Sequence, residues 1–321
     1  MEGGSKLWIE KFRPKTFNDV KGHDAIVERL KGFVKQQNIP HLLFTGPAGV
    51  GKTSLILVVA REFFGENWRQ NFLELNASDD RGIDVVRNTI KDFARTKAIG
   101  NVPFKIIYLD ECDSLTTEAQ QALRRTMENY TDSTRFCLSC NYSSKIIDPI
   151  QSRCAIFRFK QLNKDAITEI INIVADNEGL KIDEEAINSL YEISNGDVRR
   201  VQNILQSCAS ANKNINKKLI YEIVSVAEPK EVINFLNLAM AGDFLAARKK
   251  MLDIMLKHGL SGVDLVKQIQ KEIWNLGVND AKKVEFIEKC GEAEFRIVEG
   301  SDEFIQLESL LASFVKNAPS R

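Results

Sequence analysis

The sequence predicts an α/β domain built on a five-stranded parallel sheet, then a small helical domain, then a terminal all-helical domain. Three observations carry this. Up to Phe159, short apolar runs alternate with amphipathic stretches, the pattern of parallel strands joined by crossover helices. Beyond Phe159 only helical spacing remains. A glycine-rich loop, Gly46–Thr53, follows the first strong strand and opens a helix.

The elements follow in order. A helix carrying Ile26, Val27, Leu30, Phe33 and Val34 on one face closes at Asn38-Ile39-Pro40. His41–Thr45 is the first strand, and a second helix runs from within Gly51–Thr53 to near Gly65. Phe72–Leu75 is the next strand, followed by a helix over Ile83–Ala94 with apolar residues at Val86, Ile90, Phe93 and Ala94. Phe104–Leu109, Phe136–Cys140 and Ala155–Phe159 complete the sheet. Helices are expected over Ala166–Asn177, Glu184–Ser194 and Val198–Ala211, with a short piece at Lys217–Val224. Glu228-Pro229 reads as a boundary, because proline inside a helix costs ~3 kcal/mol. Helical spacing resumes from Lys230 and ends in the stripe Leu307, Leu310, Leu311, Phe314, Val315. The expected domains are therefore 1–160, 161–227 and 228–321.

Composition excludes several function classes. The 321 residues carry 44 Lys plus Arg and 44 Asp plus Glu, so the formal net charge is zero. Contact with nucleic acid must then come from a local patch rather than from the whole surface. The longest apolar runs, such as Leu55–Ala60, fall far short of the ~18–20 residues a bilayer span requires. Met1–Lys6 shows no charged-then-apolar leader, so an intracellular protein is expected. Cys137 and Cys140 have CxxC spacing, but no second Cys/His pair stands at a matching distance for a four-ligand zinc site. The six scattered cysteines suit a reducing compartment.

Gly46-Pro47-Ala48-Gly49-Val50-Gly51-Lys52-Thr53 fits G-x-x-x-x-G-K-[ST], and Ser54 continues the helix. The glycines let successive N–H groups face a phosphate, and the helix N-terminus adds partial positive charge. Lys52 supplies a point charge for the outer phosphates and the Thr53 hydroxyl a ligand for Mg²⁺. This pattern calls for a nucleoside triphosphate with Mg²⁺, which the family resemblance below implies is ATP. Asp110 and Glu111 end the third strand at the carboxyl edge of the sheet, where such sheets place their ligands. Asp110 suits Mg²⁺, and Glu111 suits deprotonation of an attacking water.

Three further residues keep two readings each. Asn141 ends the fourth strand and either positions the water and γ-phosphate or serves as a turn residue. Arg153 precedes the fifth strand, at the edge opposite the nucleotide. It is either a surface arginine or a finger donated in trans to a neighbouring subunit. Arg199 sits in the first turn of a helix whose N-cap is Asp197, where it opposes the helix dipole. A phosphate ligand would explain it, and so would simple solvation. The segment Arg81, Arg87, Lys91, Arg95, Lys97, Lys105 against Asp84 and Asp92 is net basic, which marks a solvated face or a nucleic-acid contact.

These residues, in this order, resemble the AAA+ ATPases. Trp8–Pro14, Asn76–Gly82, Ala122–Glu128 and Ser152-Arg153-Cys154 narrow the resemblance to the small subunits of replication factor C, the clamp loader of archaea and eukaryotes. The similarity runs from about Lys6 to the end, strongest through Phe159. It implies a P-loop AAA+ domain, a helical lid and an all-α collar that assembles the subunits. It implies that Lys52, Thr53, Asp110 and Glu111 act as described above, that Asn141 and Arg199 are sensors, and that Arg153 acts in trans. Phe12, Arg13, Pro14 and Val20 match the family's adenine pocket. Arg81, Arg87 and Lys91 match DNA-backbone contacts, while Ile90 and Phe93 match the clamp-facing edge, although both serve equally as core. The partners implied are the sliding clamp PCNA, the large subunit and other small subunits in a pentameric arc, and primer–template DNA. The implied activity is an ATPase stimulated by DNA and clamp. Asp-Glu-Cys-Asp at 110–113, and Ala48 and Val50 in the loop, depart from the commoner family residues at positions that are not ligands.

Overall fold

The computed structural model describes residues 7–78, 86–100 and 102–316, and for Val86 and Arg87 the backbone alone. They fall into two compact units that divide between Asn216 and Lys217. The first unit holds a parallel sheet of β1 His41–Thr45, β2 Phe72–Asn76, β3 Lys105–Asp110, β4 Thr134–Cys140 and β5 Cys154–Arg158. Its spatial order is β2-β3-β4-β1-β5. The register pairs Leu43 with Leu138 and Ile156, and Asn76 with Asp110. From β1 the chain crosses to the β2 edge, returns through β3 and β4, and then passes to β5 on the other side of β1. That reversal lies beside β1, so the loops leaving β1, β3 and β4 converge on one crevice at the carboxyl edge.

Burial explains why these runs become strands. β1 is buried at every position, as a continuous apolar run must be when helices cover both faces. The edge strand β2 alternates instead. The helix Lys52–Phe64 is apolar around most of its circumference and buried from Leu55 to Ala60, so it is a core element rather than a surface one. Phe63 meets Phe104 with ring centroids 4.8 Å apart.

His41 opens β1 in a buried position, where its Nδ1 accepts the Phe136 N–H at 3.1 Å. Burial, with the Arg135 guanidinium adding to it, pushes its pKa down to about 4. The neutral ring is thus the folded form, whereas the unfolded chain takes up the proton near the ordinary value of about 6.5. Stability from this group is complete above that value and is lost as pH falls towards 4. Between pH 7 and pH 4 the protein is expected to lose about 3 kcal/mol more than its His41→Asn variant, whose amide oxygen replaces Nδ1. Urea unfolding of both proteins at the two pH values measures this difference.

The remaining helices of the first unit are Lys164–Glu178, Glu184–Ser194 and Val198–Ala211. Asn163, Asp183 and Asp197 cap them, each side chain accepting the N–H three residues on at 3.0, 2.7 and 3.1 Å. The structure adds one feature to this helical region, a parallel pair β6 Lys181–Ile182 and β7 Asn214–Ile215. Two residues are too few to show a strand period, so helical spacing hid it.

The second unit is all helical among its described residues, with helices at Lys217–Val224, Pro229–Met240, Phe244–His258, Gly262–Glu272, Asp280–Val298 and Glu303–Lys316. Its core includes Phe235, Leu236, Met251, Leu265 and the pair Phe286–Phe314, stacked at 4.0 Å. Pro229 takes the first helical position, where its missing N–H costs nothing. The helix Lys217–Val224 groups with this unit, so the compact division falls before that helix. No helix among the described residues is long and apolar enough to cross a membrane.

Candidate active site

The loop after β1 is shaped by contacts a side chain would destroy. Gly46 has φ +150°, and a Cβ there would lie 2.3 Å from the Phe159 carbonyl oxygen. At Gly49, with φ +71°, a Cβ would come within 1.8 Å of Asp197 Oδ1. The Gly49 carbonyl accepts the Val198 N–H at 3.0 Å, so loop and helix Val198–Ala211 touch through backbone. His23 braces the same loop by donating from Nε2 to the Val50 carbonyl at 3.0 Å. Burial holds the His23 pKa below its ordinary value, against the Val50 bond, which favours the charged form.

Lys52 is buried at the start of its helix, and its ammonium donates to the Gly46 carbonyl at 2.6 Å, the Pro47 carbonyl at 2.7 Å and Asn141 Oδ1 at 3.1 Å. Burial lowers its pKa, and the Asp110 carboxylate opposes that shift. The Thr53 hydroxyl donates to Asp110 Oδ2 at 2.9 Å and lies 3.0 Å from the buried Tyr108 hydroxyl. A hydroxyl and a carboxylate oxygen so placed are hard oxygen donors of the kind Mg²⁺ prefers, and that ion ordinarily takes only one or two protein ligands. Among the described residues no cluster of three His, Cys, Asp or Glu side chains could hold a metal without other ligands.

β3 ends in a turn held by its own acidic residues. Glu111 has φ 53°, a left-handed conformation that a side-chain-bearing residue keeps only when its surroundings impose it. Its N–H donates to Asp110 Oδ1 at 2.9 Å, and its carbonyl accepts the Ser114 N–H at 2.8 Å. Asp113 Oδ2 accepts the Asn141 and Tyr142 N–H groups at 3.3 and 3.2 Å, tying the ends of β3 and β4 together. Cys112 is buried and donates to the Leu109 carbonyl at 3.0 Å, so it fills a core position beside the acidic residues.

All of this opens into one cavity of about 630 Å³. Phe12, Arg13, Pro14, Val20, Ala48 to Ser54, Asp110, Glu111, Asn141 and Arg199 line it. Gly46 and Pro47 reach the site through the carbonyls that hold Lys52. Sequence reasoning missed the apolar wall contributed by Ile170, Ile173 and Val174 of helix Lys164–Glu178, as well as His23 and Gln202. Their spacing is that of ordinary helical core, so only packing reveals which cavity they face.

Arg153 is not among the lining residues. It sits at the amino edge of β5, paired with Glu128, and donates to the Pro149 carbonyl at 2.7 Å. Of the residues matched to DNA and clamp, Arg81 and the Arg87 side chain lie outside the described residues, while Lys91 is half-buried. Ile90 is fully buried in the core and so offers no surface to a clamp, which corrects that expectation. Phe93 is half-buried. Lys105 also departs from the basic face: it is buried, its ammonium donates to the Phe93 carbonyl and it sits 3.9 Å from the Phe93 ring centroid. A strand residue pointing into the core cannot contribute to a surface patch.

Three family models match in sequence: the AAA family of ATPases associated with various cellular activities over residues 42–162, an RFC1-like AAA+ ATPase lid domain over 164–219, and a replication factor C C-terminal domain over 227–313. A curated replication factor C small subunit from Methanocella arvoryzae is 51% identical over 98% of each chain. The chain belongs to the replication factor C small-subunit family. Relatives from Archaeoglobus fulgidus and Halobacterium salinarum, with the same description, are 50% and 48% identical over 96% and 98% of this chain and of theirs. Among solved structures, Thermotoga maritima RuvB, a Holliday junction branch migration motor, shares the fold, with a TM-score of 0.56 at 16% identity over 71% of this chain and 78% of RuvB. As a replication factor C family member the chain thus carries an AAA+ domain with a five-stranded sheet, a lid and a C-terminal helical domain.

Proposed function

We propose that this chain is the ATP-hydrolysing small subunit of a clamp loader, which opens a sliding clamp of the PCNA type and places it on primer–template DNA. The observation that carries the reading is the convergence of Lys52, Thr53, Asp110, Glu111, Asn141 and Arg199 on one cavity while Arg153 stands at the other edge of the sheet. Lys52, Arg199 and the loop N–H groups bind the triphosphate. Glu111 takes a proton from the attacking water, and Asn141, already bonded to Lys52, orients that water against the γ-phosphate. Mg²⁺ would be held by Thr53 and Asp110 and, when bound, neutralises charge on the β- and γ-phosphate oxygens. Arg153 of one subunit stabilises the phosphoryl group in the site of the next, so hydrolysis belongs to a seam between subunits. The helices from Pro229 onward serve as the collar of a pentameric assembly with a large subunit, and Lys91 contributes to a salt-sensitive contact with the DNA backbone.

ATP drives clamp opening only through its differential affinity for two arrangements of the assembly, and hydrolysis removes that preference. ATPase rates of the chain with its large subunit, measured with and without primed DNA and clamp, test the reading. Stimulation by both supports it, and a basal rate indifferent to either favours a nucleotide-binding scaffold. A branch-migration motor is the other reading the fold allows. The helical second unit does not favour it, since a winged-helix DNA domain would add strands there.

A further inference from the structure

Gln202 is a polar side chain in an unusual position. It is 5% exposed, it lines the nucleotide cavity, and its carboxamide has no hydrogen-bond partner among the described residues. Two other buried amides of the same unit, Gln120 and Asn71, are engaged within the protein. Gln120 donates to the Leu115 and Lys145 carbonyls at 3.2 and 3.0 Å and accepts the Ile147 N–H at 2.9 Å. Asn71 exchanges two bonds with the Ile99 backbone, each of 2.8 Å. One helical turn beyond Gln202, Gln206 accepts the Trp8 N–H at 2.9 Å. The polar atoms of Gln202 open to the cavity rather than to a protein partner, which leaves the whole carboxamide available to a ligand bound there.

Its place on the helix indicates which part of the ligand. Arg199 and Gln202 are three residues apart and share one face, about 4.5 Å along the axis. The helix start, where Val198 bonds Gly49, is the phosphate end. Gln202 lies a turn away from it, between Arg199 and the segment that Trp8 anchors. Phe12, Val20, Ile170 and Val174 supply apolar lining to the same cavity and suit the faces of a flat base. We propose that Gln202 reads the base: its Oε1 accepts from the N6 amine of adenine and its Nε2 donates to N7. Adenine offers that donor and acceptor side by side, the pair a glutamine carboxamide matches with two bonds. Guanine offers two acceptors, O6 and N7, on the same edge and so satisfies only one half of the amide. Gln202 is then the residue that makes this site prefer ATP over GTP.

The assignment rests on the nucleotide reading of the cavity, and binding rather than turnover tests it. ATP, GTP and 7-deaza-ATP are competed against a ribose-labelled fluorescent ADP on the full chain, the Gln202→Leu variant and the longer-chained Gln202→Met variant. Wild type should bind ATP about 5- to 100-fold more tightly than GTP, with 7-deaza-ATP weakened relative to ATP because it lacks N7. Both variants should lose affinity for ATP and bind ATP and 7-deaza-ATP equally. An ATP to 7-deaza-ATP ratio near one in the wild type, which needs no substitution, overturns the assignment while leaving nucleotide binding intact. So does a ratio unchanged in a folded variant. Failure of the wild type to bind ATP at all overturns the nucleotide reading and this assignment with it.

Discussion

Replacing Glu111 by glutamine is expected to lower kcat for ATP by ~10³-fold while ATP affinity stays within a few-fold of wild type. The argument is local. Asp110 is already engaged through both oxygens, with the Thr53 hydroxyl on one and the Glu111 N–H on the other. Glu111 is exposed to the cavity beyond a left-handed turn, and among the described residues its carboxylate has no hydrogen-bond or ion-pair partner. Glutamine keeps the shape and the turn but cannot take up a proton. Because no contact that shapes the loop or holds Lys52 runs through the Glu111 side chain, binding should survive the change. Single-turnover hydrolysis beside equilibrium ATP binding separates the two quantities. A variant that hydrolyses ATP at the wild-type rate would remove Glu111 from the chemistry.

The second large effect is expected at a residue remote from its own site. Arg153→Ala should reduce kcat by ~10³-fold or more, the usual loss when an arginine finger is removed, with little change in ATP affinity. Its guanidinium is held by Glu128 and the Pro149 carbonyl at the amino edge of the sheet, away from the cavity that follows β1. An effect of that size on turnover therefore has to pass through another subunit. Mixing makes this distinctive. Arg153→Ala subunits keep Glu111, and Glu111→Gln subunits keep Arg153, so a mixed assembly contains seams with one intact half from each. Activity that reappears on mixing two inactive proteins supports a shared site. Full activity of the Arg153→Ala protein alone would make the residue an ordinary surface arginine.

Much of this molecule was legible because its signals are local. β1, β2, β3, β4 and β5 each match an expected run to within two residues at either end, since a buried parallel strand must be a continuous apolar run. The cap at Asp197 was readable from a small acidic residue before an amphipathic stretch. The phosphate loop was readable because glycine spacing encodes backbone shape directly. What failed were statements about which way a side chain points across the fold. Ile90 fits either a clamp-facing edge or the core on sequence alone, and Lys105 counts with a basic segment, yet both are buried. Their neighbours in sequence carry charge, but their neighbours in space are the sheet and the helices packed on it.

The sequence by itself determined the phosphate loop, the acidic end of β3, the helices after residue 159 though not the short β6–β7 pair between them, and, through long identity, the family. These are properties of adjacent residues, and adjacency is what a sequence records. Only the tertiary structure decided that Asn141 bonds Lys52, that Asp197 leaves room for nothing larger than glycine at position 49, that Glu128 pairs with Arg153, and that Gln202 lines the cavity with no hydrogen-bond partner among the described residues. Each of these joins residues separated by tens to more than a hundred positions. Their meeting is set by strand order and by the packing of helices on the sheet, which no stretch of the chain contains alone.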